Sequence, residues 1–69
     1  METLIRSRAV QLLSRIEHYL ARSGDAPTTF SRAATHDPRF VYDLRNGRCP
    51  RPATAARVHA WLDRAESRP

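Results

Sequence analysis

Few side chains in this sequence could do covalent or acid–base chemistry. The candidates are Cys49, the single cysteine, and the histidines His18, His36 and His59. A nucleophile needs a base beside it and a third group to orient that base. No two of these residues have a spacing that sets them together on one helical face. Cys49, His59 and Asp63 can be written as a cysteine triad, but the surrounding sequence offers no scaffold for an oxyanion hole. A zinc site needs closely paired ligands, and Cys49 with the histidines does not supply them. The residues therefore argue against an enzyme, a metal or a cofactor, and they suggest no small-molecule ligand. Guanidinium chemistry remains. All 12 basic residues are Arg, against 7 acidic ones, for a formal net charge of +5. A guanidinium is a planar fork of donors that fits a phosphate or the two acceptors of guanine. The bias suits a nucleic-acid partner, although GC-rich coding also favours Arg over Lys. Charge supports a polyanion partner without identifying it.

The 69 residues make one domain (1–69), near the lower size limit for a chain that folds alone. A small core makes dimerisation a plausible way to bury more apolar surface. A single cysteine excludes an intramolecular disulfide, and no signal peptide is recognisable. Both point to a reducing interior and a cytoplasmic, nucleoid-associated location. No segment is long and apolar enough to span a membrane.

The elements that must position the arginines are helices. Pro27 to Gly47 reads as two short helices joined by a tight turn. Thr28 or Thr29 is expected to cap the first helix, and Phe30, Ala33 and Ala34 to form its apolar face. Thr35-His36-Asp37 breaks it. Asp37 then serves as N-cap of a second helix with Pro38 at its first position, where a missing N–H costs nothing. Phe40, Val41 and Leu44 fall three and four apart on the buried face. Gly47 ends the helix through a left-handed cap. Two such helices in a small basic chain suggest a helix-turn-helix, with the motif at about 28–47.

The stretch Phe30-Ser31-Arg32-Ala33-Ala34-Thr35-His36-Asp37-Pro38-Arg39-Phe40-Val41-Tyr42-Asp43-Leu44-Arg45-Asn46-Gly47 resembles the core of the lambda-repressor-like (Cro/C1, XRE) DNA-binding domains. Phe30-Ser31 sits at that family's Leu-Ala pair and Asp37 at its polar cap. Val41 sits at its central Ile, Leu44 at an aromatic position and Asn46-Gly47 at its Glu-Asn-Gly ending. Three positions depart from the pattern. Thr35 replaces the turn Gly, His36 replaces a small apolar residue, and Arg45 replaces the Glu. The resemblance implies an all-α, four-helix (three to five) helix-turn-helix domain whose second motif helix enters the major groove of duplex DNA. Many domains of the family have five helices, whereas this chain has the pattern for four.

Flanking helices complete the core. Glu2 to Ser23 is amphipathic, with Ile5, Ala9, Leu12, Leu13, Ile16, Tyr19 and Leu20 on one side. Thr3 is its candidate cap and Gly24 its stop. Val10 and Leu4 lie off the main stripe, either as contacts to a partner subunit or as isolated surface residues. A basic amphipathic helix can also lie on a membrane surface, but this apolar face is needed to cover the motif. The last helix runs from about Ala53 to Glu66. Val58, Trp61, Leu62 and Ala65 face inward with Ala55 on the margin, and Trp61 is read as a core anchor. Arg57, Asp63, Arg64 and Glu66 face water or a partner.

On the second motif helix the outward residues are Arg39, Tyr42 and Asp43, with His36 and Asp37 at its entrance. Arg39 is the leading base reader, since its fork matches guanine. Tyr42 suits a thymine methyl or a phosphate. Asp43 lies at a base-reading position of the family and either accepts from cytosine or holds Arg39 four residues earlier. His36 either donates to a phosphate or fills the apolar slot that the family pattern places there. Thr28 and Thr29, with the helix N–H groups, either bind a phosphate or only cap. The resemblance carries backbone contact to Asn46 and Arg48, and charge extends it to Arg51. Prolines 50 and 52 stiffen this second loop. The resulting expectation is a homodimeric repressor on double-stranded DNA, similar to the short autorepressors of phages and mobile elements, including those beside anti-CRISPR genes. The rival is a basic helical interaction module, an antitoxin or adaptor, whose partner is a protein.

Overall fold

The computed structural model describes the backbone of residues 2–67 and the side chains of residues 8–67. The expected roles of Thr3, Leu4 and Ile5 lie outside the described side chains. Four helices follow in order: α1 (Glu2–Ser23), α2 (Pro27–Thr35), α3 (Phe40–Arg45) and α4 (Pro52–Ser67). No strand occurs among the described residues, and the protein is a small all-α domain.

The helices form where apolar residues recur every three or four positions. α1 buries Leu12, Ile16 and Leu20, with Leu13 and Tyr19 partly buried beside them. Gly24, at φ 78°, stops α1, and its N–H donates to the Leu20 carbonyl at 2.9 Å. α3 buries Phe40, Val41 and Leu44, and α4 buries Val58 and Leu62. α1 and α2 each pack on both α3 and α4, so one continuous core joins all four helices. Trp61 is a half-buried anchor at the edge of that core. Its ring meets Phe30 edge-on at 5.1 Å and Tyr19 at 5.5 Å, and Tyr19 and Phe30 lie 5.8 Å apart. Three helices thus share one aromatic cluster, and both Trp61 pairs take the edge-to-face geometry that ring quadrupoles favour.

Three local expectations are corrected. Neither Thr28 nor Thr29 caps α2. The N-cap is Ala26, in extended conformation and without a side-chain cap bond, and Pro27 opens the helix. Proline presets the first helical φ, so the helix starts before the threonines are reached. Ala33 is exposed, because α2 turns Ser31 rather than Ala33 into the core beside Phe30 and Ala34. The α-helical part of α3 begins at Phe40, two residues after Pro38. Asp37 still caps, its Oδ1 accepting from the Arg39 N–H at 2.9 Å, but it caps a turn that leads into the helix. Asp63 and Glu66 face water as expected, and both are also paired within the chain. Arg15 of α1 reaches Asp63 at 2.6 Å and Glu66 at 2.8 Å, clamping α1 to α4. Its Nη1 also donates to His59 Nδ1 at 2.8 Å, which places the proton of a neutral His59 on Nε2.

Candidate nucleic-acid interface

The segment from α2 to the start of α4 contains Arg32, Arg39, Arg45, Arg48 and Arg51 against only Asp37 and Asp43. Its frame is set by the α2–α3 junction. His36 takes the left-handed conformation (φ 66°) that ends α2, and its N–H donates to the Arg32 carbonyl at 3.0 Å. The glycine role expected at Thr35 therefore falls on His36. Thr35 instead donates through Oγ1 to the Ser31 carbonyl at 2.8 Å and accepts from the Asp37 N–H at 3.2 Å. Behind the turn, Ser31 is fully buried. Its hydroxyl donates to the Pro27 carbonyl at 2.7 Å and accepts from the Val41 N–H at 3.1 Å. Val41 lies in the first turn of α3, where backbone donors lack helical partners. One serine side chain of α2 thus caps α3 from within the core.

With that frame fixed, the outward residues are placed as follows. Arg39 is exposed at the N-cap of α3 and makes no ion pair among the described residues. Tyr42 is 45% exposed, with the Arg45 guanidinium 5.7 Å from its ring centre. Asp43 does not hold Arg39. Its carboxylate takes Arg48 Nη1 at 3.1 Å, because the backbone bond from Arg48 N–H to the Asp43 carbonyl (2.9 Å) folds the loop back onto α3. His36 is exposed, so it does not fill an apolar slot; the left-handed backbone turns it out of the core. Asn46 is the exposed C-cap of α3, followed by left-handed Gly47 at φ 93°. Thr28 is half-buried and Thr29 exposed, both in the first turn of α2. Arg51 is exposed just before α4, and its carbonyl accepts from Ala55 at 2.9 Å.

Only some of these residues meet. Asp43, Arg48 and Arg51 line one cleft of about 440 Å³ between α3 and the start of α4, with Thr35 and Asp37 at its wall. Arg48 and Asn46 line a second cleft of about 310 Å³ toward α1. Thr28, Thr29, Arg39 and Tyr42 line neither.

Sequence reading missed Arg45. Its guanidinium grips Glu17 of α1 in a two-pronged pair, both contacts at 2.7 Å. Nothing local signals a pair 28 residues apart. The Arg45 hydrogen bonds hold the Glu17 carboxyl below its usual range; burial opposes them, and the Arg45 charge adds a smaller effect in the same direction as the hydrogen bonds. A carboxyl depressed on folding stabilises the fold above its unfolded pKa of about 4.3, and that contribution disappears as pH falls through the lower folded value. Both side chains are about 40% exposed (39% and 41%), so the contribution is that of a surface pair, about 0–1 kcal/mol. Thermal melts between about pH 6 and pH 2 are expected to show a smaller acid-induced loss in Glu17→Gln than in the wild type. Equal losses would show that the pair contributes nothing to acid stability.

No group of three or more His, Cys, Asp or Glu side chains is placed to hold a metal among the described residues. No helix among them is long and apolar enough to cross a membrane. No family model, curated protein or solved structure matches the chain.

Proposed function

We propose that the chain is a sequence-specific DNA-binding regulator of the lambda-repressor-like kind. In this reading it is a repressor that binds an inverted-repeat operator as a homodimer, with α3 in the major groove. One observation carries this reading. α3 is locked onto α2 through Ser31 and the core, while Arg39 and Tyr42 on its open side are exposed and Arg39 has no carboxylate partner among the described residues. A short anchored helix that presents an uncommitted guanidinium suits the reading of guanine in the major groove. Thr28 and Thr29, in the first turn of α2, and Asn46, Arg48 and Arg51, after α3, are the candidates for phosphate contact. His36 stands at the entrance of α3 and is free to donate to a phosphate. Val10, 64% exposed on α1 beside the second cleft, is the candidate dimer contact. Repression needs only that an operator be occupied.

A second reading has its own support. Arg45 and Arg48 are already paired with carboxylates, which lowers the free positive charge of this face. A basic module that docks on an acidic protein needs less free charge than a DNA reader. Selection of binding sites from random duplex DNA at near-physiological salt separates the two. An inverted repeat with half-sites about one helical turn apart supports the repressor. Weak binding to every sequence supports the interaction module. On the selected site, Arg39→Ala is expected to relax preference at one base pair per half-site and weaken binding about tenfold or more. Uniform weakening on all sequences would assign Arg39 to a phosphate.

A further inference from the structure

Asp43 is the only carboxylate within α3, and it sits next to the exposed Tyr42. On a helix that meets DNA, an unpaired carboxylate is repelled by the phosphates. Here it is paired: Arg48 Nη1 lies 3.1 Å from Asp43 Oδ2. The two partners are held differently. The backbone bond from the Arg48 N–H to the Asp43 carbonyl keeps the root of Arg48 at the end of α3. The Arg48 side chain is 73% exposed, and its guanidinium rests on this single side-chain contact. Pairs this exposed hold weakly, so the guanidinium can change partner without moving the backbone. Arg51 lines the same cleft and would share any phosphate that enters it.

We propose that Asp43 and Arg48 form a latch that makes a phosphate contact conditional on the base read. The inference rests on the reading of α3 as the groove-entering helix. On a non-cognate duplex, moving Arg48 to a phosphate would strand the Asp43 carboxylate beside the polyanion, so Arg48 stays on Asp43. Opposite a cytosine, the exocyclic amino group donates to the carboxylate, and Arg48 is released to the backbone. Asp43 is thereby a specificity-determining residue. It adds little affinity anywhere and withholds a phosphate contact everywhere except at the matching base. The design differs from a fixed ion pair, which would hold Arg48 away from DNA of any sequence.

The test measures binding against salt for the wild type, Asp43→Asn, Arg48→Ala and the double variant. The probes are random-sequence duplex and the site obtained by selection. Asp43→Asn is expected to bind random duplex about tenfold more tightly, with a log–log salt slope steeper by about one phosphate contact. Its affinity for the selected site should change much less, so its discrimination falls by a similar factor. In the double variant the gain on random duplex should vanish, because Arg48 is its agent. No gain for Asp43→Asn on random duplex overturns the latch. A gain that survives in the double variant also overturns it, leaving simple repulsion by Asp43. A wild type with neither a selected site nor a salt slope sinks the DNA reading itself. A wild type with both, beside an unchanged Asp43→Asn, sinks only the latch. Far-ultraviolet circular dichroism of each variant shows that the fold is kept.

Discussion

Phe30→Ala is expected to leave most of the chain unfolded at room temperature. Phe30 is 1% exposed and sits where α1, α2 and α4 meet. Truncating a buried aromatic costs about 3–5 kcal/mol, from lost transfer energy and the cavity left behind. A single core below about 70–80 residues rarely supplies more than about 3–5 kcal/mol of stability, so the loss matches the whole reserve. The neighbours sharpen the case. Trp61 and Tyr19 touch Phe30 edge-on and tilted, and each is only partly buried. Removing the central ring exposes both, whereas removing Trp61 leaves the Tyr19–Phe30 contact in place. Trp61→Ala should therefore cost less than Phe30→Ala. Far-ultraviolet circular dichroism and urea titration check the order. A Phe30→Ala chain that melts cooperatively near the wild-type temperature would show that the aromatic cluster is dispensable.

The helices were legible because their pattern is regular. Leu12, Ile16 and Leu20 repeat at one spacing, and so do Val58 and Leu62, all five ending in the core. Gly24 and Gly47 stop α1 and α3 with positive φ, as residues without Cβ do. What stayed hidden has a common cause. The exposed His36 in a left-handed turn, the clamp of Arg15 on Asp63 and Glu66, and the grip of Arg45 on Glu17 depend on how the helices are placed in space. Helical periodicity says which face is inward and is silent about which charges meet across a junction. Asp43 shows the same limit. Its spacing from Arg39 suggests a pair along one helix, yet a loop that turns back brings Arg48 to it instead. At the candidate interface, the types of the exposed residues were readable, but their partners were not.

Ser31 is the residue for which that limit matters most. By type it is a polar residue in a helix, with no reason to lie inward. It is nonetheless fully buried, and its hydroxyl joins the Pro27 carbonyl to the Val41 N–H. Ser31→Ala is expected to destabilise the protein by about 1–3 kcal/mol, the cost of leaving a buried donor without an acceptor. One oxygen removes little volume, so a cavity adds little to that loss. The orphaned group is the Val41 N–H at the first turn of α3, in a residue with no exposed surface of its own. With Val41 fully buried, water reaches its N–H only if α3 lifts away from α2. The effect should therefore be local as well as global. Amide exchange at Val41 is expected to speed up by more than at Leu62, which packs in the same core but on α4. A lower urea midpoint with uniform acceleration would mean that the serine only fills space. An unchanged midpoint would mean that the Val41 N–H finds another acceptor. If α3 does read DNA, Ser31→Ala should also lose preference for the selected site before it loses the fold, because Arg39 and Tyr42 are aimed only as well as the helix that bears them is held.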